Sequence, residues 1–153
     1  MGNLPHIDEH VRVVGAGQER TWSALLRYVS HSLGRPLPEP LVSAWGLEPP
    51  RRTGDWRRPE TGATIPGFVV AEVEPPGLLT LRGRHRFSRY ELRFAIEPVG
   101  PDRVKVRAGS SGEFPGALGR LYRGLVIGSR GHVLAVRHML AQVAARAERD
   151  VQG

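Results

Sequence analysis

The stretch Leu78-Leu-Thr-Leu-Arg-Gly-Arg-His-Arg-Phe-Ser-Arg-Tyr-Glu-Leu-Arg-Phe-Ala-Ile-Glu97 alternates apolar and charged residues across two paired strands. One parity carries Leu79, Leu81, Gly83, His85 and Phe87, then Tyr90, Leu92, Phe94 and Ile96. The other carries Arg82, Arg84, Arg86, Arg89 and Arg93, with Glu91 and Glu97. A period of two places these sets on opposite faces of a sheet. One face is therefore apolar with a histidine in it, and the other is wet and mostly basic.

Working outward, Phe68–Glu74 and Arg103–Ser110 extend this hairpin into a run of antiparallel strands, with turns at Pro75-Pro-Gly77 and Val99-Gly-Pro-Asp102. The last strand again separates Val104, Val106 and Ala108 from Arg103, Lys105 and Arg107. Residues 6–14 read as a further strand, with Ile7, Val11 and Val13 expected on its apolar side and Glu9 sharing that side. Gly15-Ala-Gly17 ends it as a tight turn; it lacks the spacing of a nucleotide-binding loop. The residues from Gln18 to about Ser32 predict a helix, with Trp22, Leu25, Leu26 and Val29 on one face. A short helix follows over Glu39–Trp45, with Leu41, Val42 and Trp45 together. Residues 46–66 are broken by Pro49, Pro50, Gly54, Pro59, Gly62 and Pro66, and read as a long loop or lid with at most a short edge strand.

Residues 115–148 predict one long helix. At 100 degrees per residue, Leu118, Leu121, Leu125, Ser129, His132, Val136, Leu140, Val143 and Ala147 share a stripe. Gly119, Gly124, Gly128 and Gly131 each cost this helix about 1 kcal/mol relative to alanine. The back-face glycines, with Ile127, suggest close approach of a second helix and hence a homodimer.

The chain has 153 residues, which points to a single domain spanning 1–153. It has no cysteine, so a disulfide framework, a thiolate nucleophile and a cysteine metal site are excluded. No apolar run approaches a membrane span, and the first residues lack a signal-peptide apolar segment. A soluble, cytoplasmic protein is expected. The net charge of +7 comes from 21 Arg and one Lys against 15 acidic residues. Arginine suits phosphate and carboxylate partners, but a GC-rich genome, as in many bacteria, enriches Arg, Gly, Pro and Ala together, as here.

An antiparallel sheet with one apolar face must cover that face, and the terminal helix supplies the cover. Three features then carry a resemblance. These are the strand–turn–helix entry with Ala16-Gly-Gln-Glu-Arg-Thr-Trp22-Ser-Ala-Leu25, the meander from Gly67 to Ser110, and the terminal amphipathic helix. Together they resemble the START-like, or SRPBCC, superfamily, which includes polyketide cyclase/dehydratase-like proteins. The resemblance implies an α+β helix-grip fold: a curved antiparallel sheet wrapped around a long C-terminal helix, with two short helices after the first strand. It implies a cavity for a hydrophobic ligand and no particular reaction.

The candidate lining residues are His85, Phe87, Tyr90, Leu92, Phe94, Tyr122, Ser129 and His132. A polyketide-, lipid- or terpenoid-like molecule is the expected ligand. His85, His132 and Glu9 are the candidate proton-transfer groups if the protein is a cyclase or dehydratase. Ser129 and His132 lack an orienting third group, so a nucleophilic triad is not expected. The histidine spacing gives no metal site, and no cofactor is expected. A third reading uses Arg82, Arg84, Arg86, Arg93, Lys105 and Arg107 on the basic outer face to bind an anionic partner. Nucleic acid is disfavoured there because no aromatic side chains accompany the arginines.

Overall fold

The computed structural model describes residues 6–34, 38–86, 88–114, 116–126 and 131–152. Strand β1 spans His6–Val14 and is followed by helix α1 at Gln18–Tyr28 and a π-helical turn over Val29–Leu33. Helix α2 covers Glu39–Trp45. Strands β2 (Thr64–Ile65), β3 (Phe68–Glu74), β4 (Leu78–His85), β5 (Ser88–Gly100) and β6 (Arg103–Glu113) form the meander. Helices α3 (Gly116–Val126) and α4 (Gly131–Gln152) close the chain.

The six strands form one antiparallel sheet in the order β1-β6-β5-β4-β3-β2, so the first strand closes against the last. The sheet curves, and α1 and α4 pack against its concave side and each other. This is the α+β layout expected from the sequence. In β5 and β6 the period of two is followed closely. Phe94, Ile96, Val104, Val106 and Ala108 are buried, while Arg93, Glu97 and Arg103 are exposed. Opposite this row lie Trp22, Leu25, Leu26 and Val29 of the α1 region and Val136, Leu140, Val143 and Ala147 of α4. The helix-period faces read from the sequence are therefore the core-facing ones.

Some expectations change. Of the helix expected over 115–148, the described residues form α3 and α4, and Leu121, placed on its inner stripe, is 61% exposed. Ile127, Gly128 and Ser129 lie outside the described residues. Helix α2 has no buried residue, because Leu41 and Trp45 face outward from the core.

The segment 46–66 is the expected long loop with a short edge strand, β2, and it is tied to the sheet at several points. Glu48 bridges to Arg84 beside β4, and Thr53 bridges to Thr64 of β2. The buried Trp56 donates its indole N–H to the carbonyls of Thr53 and Thr64 at 3.2 and 3.1 Å. An indole buried with its polar end satisfied is an effective anchor.

A further change concerns β1. Its register aligns Val14 with Val104, Arg12 with Val106, His10 with Ala108 and Asp8 with Ser110. Residues directly opposite on paired strands share a face. The concave row of β1 is therefore Asp8, His10, Arg12 and Val14. Val11 and Val13, expected inside, are 48% and 52% exposed on the convex side.

Candidate functional site

The concave face is built from five adjacent rows that change character along the strands. At one end lie Val104, Val106, Phe94, Ile96 and Leu79, all buried. Leu81 and Leu92 follow, paired across β4 and β5. Beyond them the rows turn polar: Gly83 faces Tyr90, His85 faces Ser88, and Ser110 lies between Leu92 and Asp8.

This polar end has defined geometry. The Tyr90 hydroxyl donates to the Gly67 carbonyl at 2.7 Å. The ring of Tyr90 stands 5.6 Å from that of His85 and 5.2 Å from that of Phe68. Trp45 meets His85 edge-on at 5.8 Å, so the end of α2 reaches the hairpin tip. The Ser88 hydroxyl lies 3.1 Å from His85 Nε2. Burial lowers the His85 pKa from the ordinary value of 6.5, because desolvation disfavours the imidazolium. Near neutral pH it is therefore a neutral imidazole, able to accept or pass a proton.

Glycine is required at position 83. A Cβ there would fall 1.7 Å from the Gly67 carbonyl oxygen and 2.8 Å from the Tyr90 ring. The Pro66-Gly67 turn, with Gly67 at φ +85°, thus presses its backbone against β4 and fixes the Tyr90 ring beside His85.

Of the residues singled out from the sequence, His85, Tyr90, Leu92 and Phe94 share the concave face. Phe87 and Ser129 lie outside the described residues. Tyr122 lies within α3 and His132 within α4, and their side chains are outside what is described. Glu9 is a correction: register places it on the convex face, 3.6 Å from Arg107, because it alternates with His10 rather than with Val11. Among the polar residues of the concave face that were missed are Asp8, His10 and Ser110. The apolar pattern of Ile7, Val11 and Val13 hid the first two. Continuing the period of β6 past Ala108 would have found the third.

The convex face is less basic than its own strands suggest. Arg82 pairs with Glu91 at 2.6 Å, Arg84 with Glu48 at 2.6 Å, and Arg107 with Glu97 at 3.1 Å as well as with Glu9. A groove of about 790 Å³ is lined by Val42, Leu47, Pro49 and Val69 together with Arg82, Arg89 and Glu91, and Gly83 and Tyr90 of the concave row also border it.

No family model matches the chain, and no curated protein matches its sequence. Solved structures do match. A Streptomyces protein, the ZhuI aromatase/cyclase, superimposes with a TM-score of 0.64 at 12% identity, over 97% of this chain and 96% of that one. The shared architecture is a helix-grip fold. A norcoclaurine synthase point mutant from Thalictrum flavum, in complex with a transition-state analogue, gives a helix-grip match with a TM-score of 0.60 at 12% identity. That alignment covers 97% of this chain and 99% of the synthase. A protein of the dynemicin biosynthetic locus matches with a TM-score of 0.52 at 18% identity, over 92% of this chain and 46% of its own. At these identities the likeness establishes the helix-grip fold. No helix among the described residues is long and apolar enough to cross a membrane.

Proposed function

We infer that the concave face of this helix-grip domain binds an apolar or aromatic small molecule, polyketide-, lipid- or terpenoid-like in character. The observation that carries this reading is the graded wall itself. Leu79, Leu81, Leu92 and Phe94 run without interruption into Tyr90, His85, Ser88 and Ser110. Apolar walls with a few convergent polar groups are the usual form of a small-molecule site. The matched folds include a cyclase and a synthase, which supports the same use of this surface. The reading predicts saturable binding of a hydrophobic fluorescent dye, displaceable by a naphthalene-sized apolar compound. Dye binding that neither saturates nor is displaced would overturn it.

A second reading makes the protein a cyclase- or dehydratase-type enzyme on the same surface. It is favoured by the neutral state of His85 and its contact with Ser88, which suit proton transfer to and from a bound substrate. His132 is the alternative proton carrier. His85→Ala and His132→Ala should each leave folding intact, and at least one should abolish turnover; full activity in both would end this reading. The anionic-partner reading is weakened by the ion pairs that occupy Arg82, Arg84 and Arg107.

A further inference from the structure

The polar row that β1 turns toward the concave side has a chemistry of its own. Asp8 and His10 are two residues apart on one strand and therefore project from the same face. Asp8 Oδ2 lies 3.0 Å from His10 Nε2, and the two side chains are only 19% and 16% exposed. A carboxylate accepts from an N–H, so in the neutral imidazole this bond places the proton on Nε2 and leaves Nδ1 as the acceptor. Directly across the ladder from Asp8 stands Ser110, which is 2% exposed. Its Oγ is buried with no hydrogen-bond partner among the described residues. Thr80 Oγ1 shares that condition, but its ladder partner Arg93 places it on the convex row.

A buried hydroxyl left unbonded is costly, and such groups in native proteins commonly serve a ligand or a water. Here the unbonded hydroxyl sits beside an oriented imidazole, next to the apolar Leu92 and one strand from Leu81. The geometry points to Asp8, His10 and Ser110 as the polar anchor of the concave face, selecting an apolar ligand that carries an acidic hydroxyl, a phenol or an enol. The ligand O–H donates to His10 Nδ1, and the Ser110 hydroxyl donates to an oxygen of the same ligand. Asp8 is a positioning residue: it fixes the tautomer and orientation of His10. This assignment rests on the reading that the concave face holds the ligand.

The test compares two probes of nearly equal shape, 2-naphthol and 2-methylnaphthalene, titrated against the intact protein by calorimetry. One hydrogen bond in a buried site predicts a preference for the naphthol of about tenfold. Ser110→Ala and His10→Phe should each reduce that preference toward parity while leaving methylnaphthalene binding within about twofold. Asp8→Asn, which still accepts from Nε2, should weaken the preference by a smaller factor. Circular dichroism checks that each variant folds, and Ser110→Ala, the mildest change, serves if His10→Phe does not. Equal wild-type affinity for the two probes, or a preference that survives Ser110→Ala and a folded His10→Phe, overturns the anchor while the concave-face reading stands. Failure of both probes to bind overturns the concave-face reading and the anchor with it.

Discussion

Strands β5 and β1 flank β6 on either side and use their two faces in opposite ways. β5 sends Leu92, Phe94 and Ile96 to the concave side and Glu91, Arg93 and Glu97 to the convex side. β1 sends Asp8, His10 and Arg12 inward and Val11 and Val13 outward. Both obey the same period of two. What differs is the neighbourhood. β5 lies within the sheet, with a strand on each side, so its concave row meets core on all sides. β1 is an edge strand, and its concave row runs from the buried Val14 out to the polar end of the face. Val11 and Val13 lie opposite Arg107 and Lys105, whose aliphatic stems shield apolar surface while their charges stay in water. The lesson is that register against the neighbouring strand, rather than apolar count, decides which row is inside.

The contrast can be broken at its strongest point first. Phe94 is 1% exposed at the centre of β5, so Phe94→Ala should destabilise the fold by about 3–5 kcal/mol in urea unfolding. A loss below about 1 kcal/mol would mean that this row is not the core. Gly83→Ala tests the polar end of the same face. Its Cβ would meet the Gly67 carbonyl, a backbone atom, and a cost of about 1–3 kcal/mol or more is expected from the forced shift. An unchanged midpoint would show that Tyr90 and Gly67 are not held together as described.

On β1 the expectation reverses. Val13→Thr places a hydroxyl on an exposed convex position and should change stability by no more than about 0.5 kcal/mol. A loss of about 2 kcal/mol would put Val13 in the core and shift the phase of the strand by one residue.

The smallest effect concerns His85. Its folded pKa lies below the unfolded value of 6.5, so the unfolded chain takes up a proton first as pH falls. Stability should be fully present above about pH 6.5, decline as pH falls through that value, and level off once the folded pKa is passed. The site is partly exposed, so the slope should be shallow. Subtracting the pH profile of His85→Phe from that of the wild type isolates it. A difference that instead falls as pH rises above 6.5 would mean that the histidine gains an anionic partner in the fold.

Much of this was legible in the chain for identifiable reasons. The meander follows from alternation between strong turn signals, and α1 from the spacing of Trp22, Leu25, Leu26 and Val29. Helix α2 was legible from the spacing of Leu41, Val42 and Trp45, and the structure ends it at Gly46, at φ +64°. The concave placement of His85, Tyr90, Leu92 and Phe94 follows from the same alternation. The phase of β1 was not legible from apolar count. Val13 and Val14 are both apolar, and only pairing with Val104 makes Val14 the inward one. That ambiguity put Glu9 on the wrong face and hid Asp8 and His10. The anchoring of residues 46–66 was equally hidden, because it rests on long-range contacts: Trp56 with β2, and Glu48 with Arg84.

The central claim is that ligand binds on the concave face around Leu92 and Ser110 and not in the groove bordered by Arg82 and Glu91. Adjacent residues of β5 separate the two surfaces, since Leu92 points inward while Glu91 borders the groove. Native mass spectrometry of Leu92→Trp and Glu91→Trp, each incubated with the hydrophobic dye, tests this directly. The account predicts a one-to-one complex for the wild type and for Glu91→Trp, and none for Leu92→Trp, whose indole fills the concave face. Binding lost in Glu91→Trp but retained in Leu92→Trp would contradict the account and assign the ligand to the groove.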